Sequence, residues 1–165
     1  MNWQFLFLSS EGRIGQKDFW IGALLLFVAW ILSHALHILA PLIWLLLVFP
    51  WVCIIAKRLH DFGRSGWLML APLAVGVVAV VLAVVFGGLT AGSALYTAFT
   101  GGMEPSGWAV MFGALGVMFA FLGVAALVKI LFLLWVGLTP GDPGANRFGP
   151  APGAANLPTP ATPAT

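Results

Sequence analysis

The sequence predicts an all-α polytopic membrane protein with four transmembrane helices and both termini on the cytoplasmic side. Three observations carry this reading. Only 7 % of the 165 residues are charged and 61 % are hydrophobic, with a mean hydropathy of +1.05, whereas a water-facing domain is about a quarter charged. Four apolar runs approach or exceed the roughly 20 residues needed to cross about 30 Å of hydrocarbon. When the chain is threaded through those runs, all seven Lys and Arg residues fall on one side.

Residues 1–18 form a cytoplasmic interfacial segment. Its stretch "SSEGRIGQKD" mixes acids with bases, and the apolar run after it is longer than the core of a secretory signal, so a true span is favoured there. The first span covers 19–39. The second covers 41–56, is short, and carries Pro50 near its middle. Between them "SHALHILAPLIW" has neither charge nor a Gly turn, but Pro41 disfavours helical geometry at Ala40 and suits the first turn of a new helix, which predicts a tight hairpin. The third span covers 67–86, and residues 88–106 follow as an outer loop. The fourth covers 107–138 and is long enough to tilt or to project beyond the bilayer. The spans must be helices, because an open strand would leave backbone groups unpaired in lipid and the runs lack barrel alternation. Residues 19–138 thus form the transmembrane domain. Residues 139–165, "TPGDPGANRFGPAPGAANLPTPATPAT", form a cytoplasmic Gly/Pro-rich tail that cannot build a core and whose end is expected to be disordered.

Orientation follows from the cations. Arg13 and Lys17 precede the first span, Lys57, Arg58 and Arg64 lie between the second and third, and Lys129 and Arg147 lie toward or beyond the inner end of the fourth. The opposite connections hold no Lys or Arg, only Glu104, so the cation-bearing side is cytoplasmic. Trp20, Trp67 and Trp135 fall near inner ends and Trp44 and Trp108 near outer ones, as an interfacial aromatic belt requires. The same topology explains the net charge of +2 without nucleic acid, for which no basic stripe with interleaved aromatics exists.

Two stripes of small residues permit close helix approach. Gly113, Gly116, Ala120 and Gly123, with Ala109, share one face of the fourth span, and Gly76, Ala79, Ala83 and Gly87 share one face of the third. An internal contact between these two spans is the simpler use of the stripes. A docking face for another subunit is the alternative.

The polar residues concentrate in "AKRLHDFGRSGW", residues 56–67, which holds Lys57, Arg58, Asp61 and Arg64 beside His60. His60 next to Asp61 has the makings of an acid and base pair, but no Ser or Cys nucleophile accompanies it in a recognisable arrangement, and a loop tied by ion pairs is the simpler account. His34 and His37, three apart, would share a helix face and are read as interfacial polar residues rather than as metal or haem ligands. Lys129 precedes Gly137 by about 12 Å along a helix axis and can snorkel to the inner interface. Cys53 stands alone in an apolar run and is read as a small buried hydrophobe. Phosphate-loop, CxxC, HExxH and dinucleotide fingerprints are lacking, so no catalytic residue, metal or cofactor is assigned.

Three pieces, "GRIGQKDFW" (12–20), "KRLHDFGRSGW" (57–67) and "TPGDPGANRFGP" (139–150), resemble the signatures of a bacterial inner-membrane family known as domain of unknown function 805. The resemblance implies a small multi-span protein of the bacterial inner membrane, in a family without an established biochemical activity. Gln16 stands where the family's first motif usually has a second Arg. All three pieces fall on the expected cytoplasmic face, which groups Arg13, Arg58, His60, Asp61, Arg64 and Arg147 as either an anion site or a structural ion-pair lattice. Asn146, Arg147 and Phe148, after Gly141 and Gly144, are placed to fold back onto the central loop. The expected function is a noncatalytic membrane module, an accessory or partner-binding subunit in contact with lipids and other integral membrane proteins. The alternatives are an anionic-lipid-binding protein or small transporter, and, with least support, a lipid-modifying enzyme acting through His60 and Asp61.

Overall fold

The computed structural model describes residues 2–101 and 105–154. Every regular element among them is helical, and four helical stretches are long and apolar enough to cross a membrane: Gln16–Leu36, Ala40–Asp61, Gly66–Thr100 and Gly107–Leu138. The chain is a multi-pass all-α membrane protein. It divides into two compact units, one of residues 1–69 with 135–165 and one of residues 70–134.

The first unit opens with a short helix, α1 (Trp3–Leu8), where the sequence suggests only an interfacial segment. Asn2 Oδ1 accepts from Phe5 N at its start, and Leu6 is its buried anchor. The hairpin of α2 (Gln16–Ser33) and α3 (Ala40–Asp61) follows. Pro41 sits in the first turn of α3, where its missing N–H costs nothing, and a 3-10 turn, His34–Leu36, makes the connection. The helices run antiparallel: at one end Trp44 Nε1 donates to Ser33 Oγ at 2.9 Å, and nearer the other a Cβ on Gly22 would lie 3.5 Å from Ile54. His34 lies between the Trp30 and Trp44 rings at 4.6 and 5.3 Å. Helix α3 continues through Pro50 and extends beyond the expected 41–56 to Asp61, so Lys57, Arg58 and His60 belong to its last turns rather than to a loop.

The second unit is built on α4 (Leu70–Leu82), a π turn (Ala83–Gly87), α5 (Gly88–Gly101) and α6 (Pro105–Leu138), whose last residues belong to the first unit. Here the expected outer loop at 88–106 is corrected, because residues 88–101 are helix. Thr90, Ser93, Thr97 and Thr100 turn their hydroxyls back to carbonyls three or four residues earlier, which hides their polarity within the helix. The continuous stretch Gly66–Thr100 has 35 residues, about 52 Å at helical rise, so it must tilt in the bilayer or reach past it. The disordered end expected for the tail, and residues 102–104 of the outer connection, lie outside the described residues.

Gly76, Ala79, Ala83 and Gly87 are buried along the side that meets α6: a Cβ on Gly87 would lie 3.4 Å from Ala114 O and from Met118 Cβ, and Phe86 stacks on Phe121 at 6.2 Å. The α6 side of this contact is not the stripe expected. Buried or half-buried residues there are Met111, Ala114, Met118, Phe121 and Ala125. Gly113, Gly116, Ala120 and Gly123 are exposed, and the three glycines meet nothing within 4 Å of an added Cβ. The α6 contact face is displaced because Ala114 and Ala125 set a second small-residue row, which alternates with large side chains that fill the groove.

Candidate functional site: a charged cluster where three helices end

Helices α1, α3 and α6 all bring their C-terminal ends into the first unit, and each end leaves carbonyls without a helical partner. The residues of "KRLHD" supply much of what those carbonyls need. Lys57, fully buried, donates from Nζ to Phe5 O and Leu6 O of α1 and lies 4.3 Å over the Phe5 ring. Arg58, also fully buried, donates from Nε to Val136 O (3.1 Å) and from Nη2 to Thr139 O at the end of α6. Gln16 Nε2 adds a bond to Leu138 O at 2.9 Å, so the residue that departs from the family pattern serves as a neutral cap.

Asp61 is the acid of the cluster. Its Oδ2 accepts from Arg58 Nη1, one helical turn earlier, and its Oδ1 accepts from Arg13 Nε and Nη2 at 3.1 and 3.0 Å. The two ion pairs are almost completely removed from solvent. Arg13 also grips the returning tail: Nη2 donates to Asp61 O and Asp142 O, and Nη1 to Gly144 O and Gly149 O. Most of its bonds therefore go to main-chain carbonyls rather than to a carboxylate. Asp142 N donates to Asp61 O at 2.8 Å, and a Cβ on Gly141 would run into the Asp61 carboxylate. Glycine is required there by close approach rather than by backbone angle. Gly63 is held at φ +71°, in the left-handed region, to close the turn after α3.

His60 does not pair with Asp61. Its ring stacks on Phe148 at 3.9 Å with planes 8° apart, and Nδ1 contacts Gly12 O at 3.3 Å. Asn146 ties this layer down by donating from Nδ2 to His60 O and Asp142 Oδ2, while Oδ1 accepts from Phe148 N. Arg147 and Arg64 stand outside the cluster. Arg147 is exposed and donates from Nη2 to Gly63 O at 3.0 Å. Arg64 is exposed, and its main-chain N–H closes the helix end on Leu59 O. The expected grouping thus divides: Arg13, Arg58 and Asp61 form a buried lattice, His60 forms an aromatic layer, and Arg64 and Arg147 face outward. Both ion pairs use Asp61 as the acid, and Asp18 takes part in neither. No group of three metal-ligating side chains occurs among the described residues.

Two participants went unread in the sequence. Lys57 reads as a topology signal, because the carbonyls it caps, 51 and 52 residues away, belong to a helix that has no strong sequence signature of its own. The carbonyls of Asp142, Gly144 and Gly149 carry no side-chain signal, although the Gly and Pro spacing of "PGDPGANRFGP" marks a segment able to bring main chain close.

A family model described as "Protein of unknown function (DUF805)" matches residues 7–100, more than half of the sequence. The chain belongs to the DUF805 family. The match takes in α2, α3 and the turn after it, hence Arg13, Lys57, Arg58 and Asp61, while the tail that completes the lattice lies beyond it. Over 158 residues this DUF805 chain is 29 % identical to "Uncharacterized protein YiiR" of Escherichia coli strain K12, covering 88 % of this chain and 86 % of that protein. It is similar to the same degree to the protein of that name in Escherichia coli O157:H7. No solved structure matches the chain.

Proposed function

We propose that the chain is a noncatalytic integral membrane module of the bacterial cytoplasmic membrane, an accessory subunit that attaches to other integral membrane proteins, with both termini and the turn after α3 in the cytoplasm. The observation that carries this reading is the internal saturation of the charged signature. Every donor or acceptor atom of the buried Lys57, Arg58, Arg13 and Asp61 side chains finds a partner within the protein, and such satisfied groups hold helix ends together rather than wait for a substrate. The docking face is the outward stripe Gly113, Gly116, Ala120 and Gly123, where the absence of side chains allows a transmembrane helix of another protein to approach to backbone contact.

The test is to place a photo-crosslinking residue at Gly113 or Gly123, identify the crosslinked protein, and repeat the experiment with Gly116→Leu. The expected result is a single discrete membrane partner, lost in Gly116→Leu without a change in melting temperature. Crosslinks to lipid alone, or a Gly116→Leu protein that melts lower, would overturn the assignment. The exposed Arg64 and Arg147 favour a second reading, contact with anionic lipid at the same membrane face.

A further inference from the structure

The turn that leaves α3 carries a second basic feature, separate from the buried lattice. Arg64 is exposed, and its guanidinium has no partner among the described residues. Arg147 reaches toward the same turn from the tail, steadied by one bond to Gly63 O and by the Phe148 ring 4.7 Å beneath its Cζ, which leaves most of its five N–H groups undirected. With Gly63, Ser65, Trp67 and Leu68 the two arginines line an open concavity of about 520 Å³. Asp142, whose carboxylate stands against Gly63, accepts from Asn146 Nδ2 at 2.8 Å. Ser65 Oγ takes the Trp67 amide at 3.4 Å and keeps its own O–H to donate.

The location is equally specific. Trp67 is 77 % exposed in the first turn of the membrane-spanning stretch Gly66–Thr100, the depth at which an indole settles among headgroups. Two guanidinium forks and a hydroxyl beside that indole match a phosphate oxyanion attached to an apolar body.

We propose, resting on the second reading above, that this concavity binds the phosphate of an anionic phospholipid headgroup, with Arg64 and Arg147 as the two forks, Ser65 as a neutral donor and Trp67 alongside the glycerol and upper acyl chain. The shared chemistry is a phosphate oxyanion, and an inorganic phosphate would satisfy the arginines but not the indole.

The experiment is thermal unfolding of the purified full chain in mild detergent, titrated with short-chain phosphatidylglycerol, with phosphatidylcholine of the same chain length, and with inorganic phosphate. Phosphatidylglycerol is expected to raise the melting temperature at concentrations where the other two do not. The half-saturating concentration should rise about fivefold in Arg64→Gln or Arg147→Gln and about thirtyfold in the double variant, from the usual worth of one basic side chain near an anionic surface. Ser65→Glu, which leaves both arginines in place and adds a repelling charge, should abolish the effect, and it serves as the deciding variant if an arginine substitution lowers the starting stability. Equal shifts with inorganic phosphate would reassign the site to a soluble anion and refute the lipid. Equal shifts with both phospholipids, which share the phosphodiester, would refute the choice of an anionic headgroup, and shifts unchanged in Ser65→Glu would overturn the site itself.

Discussion

The contact between Asp61 and Gly141 allows charge and shape to be separated by measurement. Asp61→Ala removes the carboxylate that balances two buried arginines. Breaking a buried ion pair costs about 3 to 5 kcal/mol, because the partner charge stays desolvated. Two pairs are broken here, but the cost should stay within that range rather than double. Arg13 keeps four carbonyl acceptors and Arg58 keeps two, so neither guanidinium is abandoned. Gly141→Ala is a separate perturbation: its new methyl would meet the Asp61 carboxyl group, with Cγ at 2.7 Å. Forcing one such group into a filled site costs about 1 to 3 kcal/mol.

The double variant is the informative one. With Asp61 reduced to alanine the methyl at 141 has room, so Gly141→Ala should add almost nothing, giving a coupling of about 1 to 3 kcal/mol between the two sites. Asp61→Asn is the control. It removes the charge but keeps the volume, so Gly141→Ala should remain costly beside it. Chemical or thermal unfolding of the four combinations with alanine, and of the two with asparagine, in one detergent gives the needed midpoints. Additive costs for Asp61→Ala with Gly141→Ala would refute the packing account of Gly141. Equal relief by alanine and by asparagine would show that charge rather than shape decides the contact.

Two further predictions concern α1 and the orientation of the chain. Lys57→Met should leave Phe5 O and Leu6 O unpaired at a cost of about 1 to 3 kcal/mol and speed hydrogen exchange across residues 3–8; unchanged protection there would show that α1 is held by Leu6 packing alone. In a Cys53→Ala background, a cysteine replacing Glu104 should react with an impermeant maleimide from the periplasm, and one replacing Ser65 only after permeabilisation. The reverse pattern would invert the proposed topology.

The helices were legible in the sequence because length and hydropathy act locally: about 20 apolar residues can be counted, and Pro41 marks the hairpin without reference to anything distant. What escaped was set by tertiary contact. Residues 88–101 look like a loop, being rich in Gly, Ser and Thr, yet the hydroxyls fold back onto their own carbonyls and the segment stays helical. The small-residue stripe of α6 was visible but its direction was not, since two rows of small residues lie around the same helix and only the partner helix chooses between them. Within the candidate site, "KRLHDFGRSGW" announced itself by charge, but whether each cation turns inward depends on tail and α1 carbonyls that no side chain advertises.

Those carbonyls also explain why the cluster holds three buried cations, Arg13, Lys57 and Arg58, with Gln16 as a neutral donor at its edge, for a single buried acid. The negative end of a helix dipole accumulates at each C-terminus, and three such ends meet near a membrane boundary where water cannot be relied on to satisfy them. Lys57 answers α1, Arg58 and Gln16 answer α6, and Arg13 joins the end of α3 to the returning tail. Asp61 is needed because two guanidinium groups converge there, and a lone carboxylate shared between them neutralises part of the charge while its own main-chain oxygen serves as another acceptor. On this account the arginines of the signature are primarily helix caps and the ion pairs secondary. Arg13→Lys should then be poorly tolerated even though it preserves the charge, because an ammonium has three donors in place of the five that the guanidinium directs to Asp61 and to the tail carbonyls.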